Sequence, residues 1–236
     1  MPRPYEKLFL HIEKIEEKIG YIFKNKNTLA LAFIHRSFFH ENQNSLEGHN
    51  ERLEFLGDSV LGLLIAEHLY TILPLDAEGH LSYLRAHLVE ATTCAQFVQK
   101  LGLAEFILLG RGEEIQEGRK KISIQADFFE ALLAAIYLDG GLESAKQFFW
   151  SCFADDIAML VKKPSSNWKA ELQEVIQRKH QVLPLYKVLQ EIGPDHSKTF
   201  SVGVFLEDKL LGTGMGSSKK EAEQNAAKSA LEALEG

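Results

Sequence analysis

The sequence predicts two architectures in tandem, an all-α front and a small α+β tail ordered helix, strand, strand, strand, helix. Three observations predict it. Apolar residues recur at spacings of three and four through residues 6–160, with little β-branched alternation. The texture changes at "KKPSSN", residues 162–167, a short polar stretch with Pro164 and two serines that reads as a linker. Beyond it, three strand-like segments lie between two helical ones. The expected boundaries are 1–161 for the front, 162–166 for the linker and 167–236 for the tail.

In the front, helical spacing marks residues 6–19, 27–33, 50–73, 77–100, 125–138 and 142–161. Breaks fall at "LPLDAEG", at the glycine-rich "LLGRGEEIQEGRK" and at "LDGGLES", where Gly140-Gly141 suits the end of one helix and the start of another. His35 and Arg36 are expected to hold the turn before the 50–73 helix. In the tail, "NWKAELQEVIQRKH" is helical, while "PLYKVLQEIG", "TFSVGVFLED" and "KLLGTGMG" are strands. Met215 and Gly216 are assigned to a flexible loop without contacts, and "SKKEAEQNAAKSALEALE" closes the chain as a helix.

Composition excludes several classes. A net charge of -7 over 236 residues is wrong for a simple basic nucleic-acid binder. Two cysteines, Cys94 and Cys152, have no CxxC partner, so neither a zinc site nor a disulfide framework is expected. The first twenty residues are charged and lack the apolar core of a secretory signal. The longest apolar run, about "ALLAAIYL", is far short of the ~20 residues that span a bilayer. A cytoplasmic protein without a membrane partner is the expectation. The nine histidines show no HxxxH or HExxH spacing. Ser37 and Ser59 are read as lacking a base partner, so no acyl-transfer triad is expected. Trp150 and Trp168, on either side of the linker, are read as packing.

The informative stretch is "NERLEFLGDSV", residues 50–60. On a helix, Glu51, Glu54 and Asp58 fall at i, i+3 and i+7 and share one face, while Leu53, Leu56 and Val60 lie along another. A solvated acidic stripe is the ordinary explanation. Two features argue against it: the flanking sequence is apolar almost all round, and a second pair, Asp127 and Glu130, sits in the similar "ISIQADFFEALLAAIYL". Two like charges about 5 Å apart at an effective dielectric of about 20 repel by roughly 3 kcal/mol. Four such groups brought together need protonation or a hard divalent cation. Oxygen ligands without cysteine or histidine suit Mg²⁺, with Mn²⁺ able to substitute. Paired acids on two helices also describe helical nucleoside-triphosphate pyrophosphatases, so spacing alone leaves the reaction open. Gly57 removes a side chain and permits something to approach closely.

These residues also resemble a family. "HNERLEFLGDSVL" closely matches the signature of ribonuclease III, the double-strand-specific endoribonuclease. "HRSF" at 35–38 matches the segment preceding it, and "ADFFEALLAAIYLDGG" at 126–141 its second acidic motif. The tail resembles a double-stranded-RNA-binding domain through "LQEVIQ", "GPDHSKTF" at 193–200 and "GTGMGSSKKEAEQNAAKSAL" at 212–231. The motifs occur in the family's order over nearly the whole chain. Gln125, where an aliphatic residue is common, is a mild departure.

The resemblance implies an all-α endonuclease domain followed by a double-stranded-RNA-binding domain. It implies that Glu54, Asp58, Asp127 and Glu130 are the metal-binding and catalytic carboxylates, with Asp58 and Glu130 catalytic. Glu51 falls on an acidic position nearer the dimer and the RNA. It further implies a homodimer through the helical domain, with Phe55 partly at the interface. No small-molecule cofactor is implied. The products would carry 5′-phosphates, 3′-hydroxyls and two-nucleotide 3′ overhangs. The expected substrates are ribosomal RNA precursors and some messenger, transfer and small RNAs. The competing possibility is a double-stranded-RNA scaffold with a silent site.

Physics of the tail stands beside this. A module that reads A-form shape contacts two minor grooves and the phosphates between them. Ser218, Lys219 and Lys220 open a helix, where free N–H groups already favour phosphate. Gln173 and Gln177 share a face of the first tail helix, with Glu174 beside them, and are assigned to a minor groove. His196 in the "GPDH" loop is assigned to the next. The tail is close to neutral, so local lysine placement has to supply the attraction.

Overall fold

The computed structural model describes residues 4–43, 46, 48–162, 168–193 and 198–235. It divides into two compact units, Met1–Val161 and Lys162–Gly236. The stretch read as a linker therefore lies almost wholly outside the described residues.

The front unit is helical. Its elements are α1 (Pro4–Phe9), α2 (Ile12–Ile19), α3 (Lys26–Ala32), α4 (Arg36–Glu41), α5 (Glu51–Ile72), α6 (Glu78–Leu88), α7 (Ala91–Leu101), α8 (Arg111–Ile115) and α9 (Ile122–Lys162). The expected 6–19 helix is broken at Leu10–His11, where both N–H groups turn back three residues, onto Lys7 O and Leu8 O. The expected 77–100 helix is broken at Val89–Glu90, where Glu90 adopts extended backbone and α7 starts afresh. Where His35 and Arg36 are expected to hold a turn, a short helix begins: His35 caps α4, its Nδ1 accepting from Ser37 N at 3.2 Å. The Gly140-Gly141 break is a kink inside α9, with Gly141 at φ 81°, a left-handed value that glycine adopts without strain.

The core gathers buried faces of α2, α3, α5, α7 and α9. Phe97, Phe129, Phe149 and Phe153 form an aromatic nucleus, with Phe97 and Phe153 ring centroids 4.2 Å apart. His68 tilts against Trp150 at 4.3 Å, and burial lowers its pKa. By length and composition α5 could cross a bilayer, which the short apolar runs of the sequence did not suggest. Leu61, Leu64 and Ile65 are buried in the front core, so α5 reads as a core helix. Asp139, at the end of the second acidic motif, accepts from Tyr21 OH at 2.8 Å and from the N–H groups of Lys24 and Asn25 at 2.9 Å each. It ties α9 to the chain entering α3.

The tail unit runs α10 (Trp168–His180), β1 (Leu185–Ile192), β2 (Thr199–Leu206), β3 (Lys209–Gly216) and α11 (Lys219–Glu235). The sheet is antiparallel in the order β1-β2-β3, with irregularities near Val188–Gln190 and Val204–Phe205. Leu172 and Ile176 from α10, Val202 and Val204 from β2, and Ala222, Ala226, Ala227 and Ala230 from α11 form its core. Trp168 packs against the edge of that core.

Met215 and Gly216 belong to β3, not to a loop. Met215 pairs with Ser201 and its carbonyl accepts from Asn225 Nδ2 at 2.8 Å. A Cβ on Gly212, Gly214 or Gly216 would come within 2.1–2.6 Å of backbone nitrogens of α11. The glycines serve close helix-on-sheet packing rather than turning.

Candidate functional site

Gly57 lies on the buried face of α5, and a Cβ there would fall 1.9 Å from the carbonyl oxygen of Glu130. What approaches Gly57 is therefore the backbone of α9. The contact sets Glu54 and Asp58, on either side of it along α5, across from Asp127 and Glu130 on α9. The structure thus brings the four expected carboxylates into one another's field.

Their protonation records this. Burial, then the charges of Asp58, Glu54 and Asp127, push Glu130 up to about 8. Burial, then Asp127, Glu51 and Asp58, raise Glu54. Burial and then Glu51 raise Asp127, against a lowering backbone hydrogen bond. Glu130 and Asp127 are half-buried, while Asp58 is exposed. Cys94 is fully buried beside the group; burial, then Glu130 and Asp58, push its thiol far up, so it stays neutral. The donors on offer are hard oxygens, which fits Mg²⁺ or Mn²⁺ and not a thiophilic metal. Among the described residues no three acidic, imidazole or thiol groups close into a cage around an ion. The cluster is a set of mutually repelling carboxylates for which an added cation is the natural counter-charge.

A cavity of about 700 Å³ opens beside it, lined by His35, Arg36, Asn50, Glu51, Glu54, Glu113, Lys121, Ser123, Ile124 and Asp127. Asp58 and Glu130 are not on that wall. Glu51, the first residue of α5, accepts from Arg36 Nη1 at 3.1 Å and lies 3.8 Å from His49 Nδ1. It therefore shares the wall of Glu54 and Asp127. Lys121 pairs with Glu113. Glu113 and Lys121 are cavity residues the sequence did not single out, and Arg36, expected only to hold a turn, lies on the same wall. Their signal was the cations of "HRSF" and "GRKK" flanking the two acidic motifs, but only the fold puts them on one wall.

The glycine-rich segment carrying Glu113 and Lys121 is held from below. Arg119 donates to the carbonyls of Ala104, Glu105 and Ile107 and pairs with Glu114. Gln125, buried, donates to Arg119 O at 2.6 Å and accepts from Gln99 at 3.2 Å. The polar residue at this position is thus fully used. Ser37 does have an imidazole partner, contrary to the sequence reading: its Oγ lies 2.7 Å from His35 Nδ1 and accepts from Gly110 N at 2.9 Å. The pair is a helix cap joined to the 110 segment.

In the tail, Gln173 and Gln177 are exposed on α10, each next to a buried residue, Leu172 or Ile176. Glu174 lies on the same helix. Ser218 caps α11, its Oγ accepting from Glu221 N at 3.2 Å; Glu221 in turn accepts from Ser217 N at 2.7 Å. Lys219 and Lys220 fill the first turn, both exposed. Lys219 is 3.3 Å from Glu191. His196 lies outside the described residues.

Comparison with known proteins gives a consistent result. Residues 25–157 match the family model described as ribonuclease-III-like, and residues 168–234 the double-stranded RNA binding motif. The chain is 52% identical over 232 residues to ribonuclease 3 of Protochlamydia amoebophila, covering 98% of this chain and 96% of that one. It is 44% identical over 224 residues to ribonuclease 3 of Desulforamulus reducens, covering 94% and 91%. Among solved structures, the nuclease domain of ribonuclease III from Campylobacter jejuni is similar at 42% identity and a TM-score of 0.57. That match covers 61% of this chain and 96% of the other, which is described by the region involved in its dimer formation.

Proposed function

Because the chain belongs to the ribonuclease III family of double-strand-specific endoribonucleases, we propose that its carboxylates Glu54, Asp58, Asp127 and Glu130 form a Mg²⁺-dependent centre that hydrolyses phosphodiester bonds of double-stranded RNA. The observation that carries this reading is the Gly57–Glu130 backbone contact, which forces two acidic pairs together at a cost that only a proton or cation relieves.

Glu54, Asp127 and Glu130 would hold the metal, with Asp58 beside them. When bound, the ion supplies Lewis-acid stabilisation of the phosphate and lowers the pKa of a coordinated water. The chain's own residues do the remainder. Glu130, protonated near neutrality in the bare site, loses its proton when a cation replaces it as counter-charge. Asp58, exposed and close enough for its charge to act on Glu130, would orient water or take a proton. Arg36 and Lys121 give the acidic wall its cationic counterpart, so that an RNA backbone can enter a region otherwise repulsive to phosphate.

The α5 surface away from the core leaves Phe55, Leu63 and Tyr70 exposed, Phe55 at 79%. Such a stripe suits the isologous interface of a two-fold dimer, in which each subunit cuts one strand and the products carry 5′-phosphates, 3′-hydroxyls and two-nucleotide 3′ overhangs. Natural substrates of this reading are ribosomal RNA precursors and some messenger, transfer and small RNAs. Both cysteines are free, in keeping with a reducing, cytoplasmic setting.

The test is cleavage of an end-labelled perfect RNA duplex with Mg²⁺, with Ca²⁺ and with chelator, mapping both product ends. Mg²⁺-dependent cuts on both strands, offset by two nucleotides, are expected. Tight binding without cutting under any of these conditions would replace the enzyme by a scaffold.

A further inference from the structure

The start of α11 does not offer its first lysine freely. Glu191, near the end of β1, stands opposite Phe200 in the sheet register. Its Oε1 is 3.3 Å from Lys219 Nζ, and its Oε2 is 3.7 Å from Lys198 Nζ. The Lys219 ammonium also lies 5.5 Å from the centroid of the Phe200 ring. One carboxylate thus engages two lysines, one entering β2 and one opening α11. Other lysine–acid pairs of the tail pair one lysine with one acid: Lys169 of α10 with Glu223 of α11, and Lys228 with Glu232 along α11.

We propose that Glu191 is an intramolecular competitor for RNA phosphate, holding Lys219 and Lys198 in the free protein and thereby setting the affinity of the tail for duplex RNA. The proposal rests on the reading of the tail as an RNA-binding unit whose Lys219 meets phosphate. The three side chains are between 37% and 58% exposed. A pair this exposed adds little to folding stability, so stability alone gives no reason for a carboxylate at this edge. Its effect falls on binding. A phosphate reaching Lys219 must displace Glu191, and the displaced carboxylate stays well inside the Debye length of roughly 10 Å at 0.1 M salt. The lysine thus changes partner on binding instead of gaining one, and the site stays weaker than its lysine content suggests. A weaker hold on any one duplex suits an enzyme that must release what it has cut.

The experiment uses the full chain in chelator, titrated against a labelled perfect RNA duplex over a series of KCl concentrations. Glu191→Gln is expected to bind roughly five-fold tighter, with a steeper dependence of affinity on salt by about one counterion. Glu207→Gln makes the same charge change at the β2–β3 turn, at the other end of β2, and is expected to leave affinity unchanged. Equal or weaker binding by Glu191→Gln overturns the proposal, as does an identical gain from Glu207→Gln, which would reduce the effect to net charge. Lys219→Ala separates the two layers of inference. Normal binding by Lys219→Ala removes its phosphate contact and overturns both layers. Weakened binding by Lys219→Ala, together with no gain in Glu191→Gln, overturns the competitor role alone.

Discussion

In the front unit the missing side chain at Gly57 lets α5 lie against the backbone of Glu130, and in the tail Gly212, Gly214 and Gly216 let α11 lie on β3. The device is the same, but its neighbours differ. Around Gly57 the adjacent residues are acids, so close packing concentrates negative charge and raises Glu54, Asp127 and Glu130 together. Around the tail glycines the facing backbone is chiefly that of alanines, and the acid at that seam, Glu221 against Gly216, is satisfied by Ser217. Other charges are paired as Lys169–Glu223 and Lys219–Glu191. One unit holds an unfavourable field that, on the proposed reading, a cation would discharge; the other holds a paired surface that a phosphate would have to rearrange. Chemistry belongs to the first and recognition to the second.

The largest expected effect breaks the first half of that contrast. Glu130→Gln keeps the shape of the side chain and removes its charge. Cleavage of duplex RNA should fall on the order of a thousand-fold, while duplex binding, measured in the same preparation, stays close to wild type. A variant that cuts normally would move the chemistry away from these carboxylates.

Next in size are the glycines themselves. A Cβ at Gly57 would sit 1.9 Å from Glu130 O, and one at Gly214 would sit 2.1 Å from Ala226 N. Neither backbone can move by the length of a bond without unpacking, so each alanine substitution should cost about 3 kcal/mol or more. The units should respond separately in a calorimetric scan. Gly57→Ala lowers the front transition and abolishes cutting. Gly214→Ala lowers the tail transition and weakens duplex binding, and leaves residual cutting at low salt. A single shared transition in both variants would dissolve the comparison.

A pH series sharpens it further. Glu130 has a folded pKa near 8 against an ordinary 4.5, so across that window the folded state binds more protons than the unfolded one. Stability of the metal-free front should therefore fall as pH rises from about 4.5 to 8, and Mg²⁺ should reverse the fall. The tail runs the other way. Hydrogen bonds from the Ser217 hydroxyl and backbone hold Glu221 below its ordinary 4.5, so what it contributes is present above that pH and is lost below it. Asp139, in the front, is lowered as well, chiefly by the backbone N–H groups of Lys24 and Asn25 acting against burial. Its window lies in acid, outside the range of Glu130. Melting temperatures of the two transitions from about pH 2.5 to 9, with and without Mg²⁺, test the opposite slopes.

Much of this was legible in the sequence because it is local. The sharing of a helix face by acidic residues at i and i+3 follows from backbone geometry alone, and the three strands stand out as segments between two helical ones. What was missed depends on contacts between distant residues. Helix α4 is six residues long and capped by a histidine, outside the usual Ser, Thr, Asp and Asn caps. The breaks at Leu10–His11 and Val89–Glu90 carry neither glycine nor proline to announce them. Met215 and Gly216, expected in a loop, continue β3, and the glycines of "GTGMG" make room for Ala222, Ala226 and Ala230 of α11. Arg36 meets Glu113 and Lys121 on one wall although it is far from them in the chain.

Gln125 gives the smallest effect and separates scaffold from field within the front unit. It lies two residues before Asp127 on α9, yet its amide faces away from the carboxylates, toward Arg119 O and Gln99. Leucine here restores an apolar residue at the cost of two hydrogen bonds, leaving the Arg119 carbonyl and the Gln99 amide to find other partners. The expected loss is about 1 kcal/mol, seen as a small drop in the front transition. Because the amide carries no charge, the pH slope of that transition and the Mg²⁺ dependence of cutting should be unchanged. A Gln125→Leu protein with wild-type stability but an altered pH slope would mean that the field at Asp127 is set through α9 itself, and that the acids and their support cannot be treated apart.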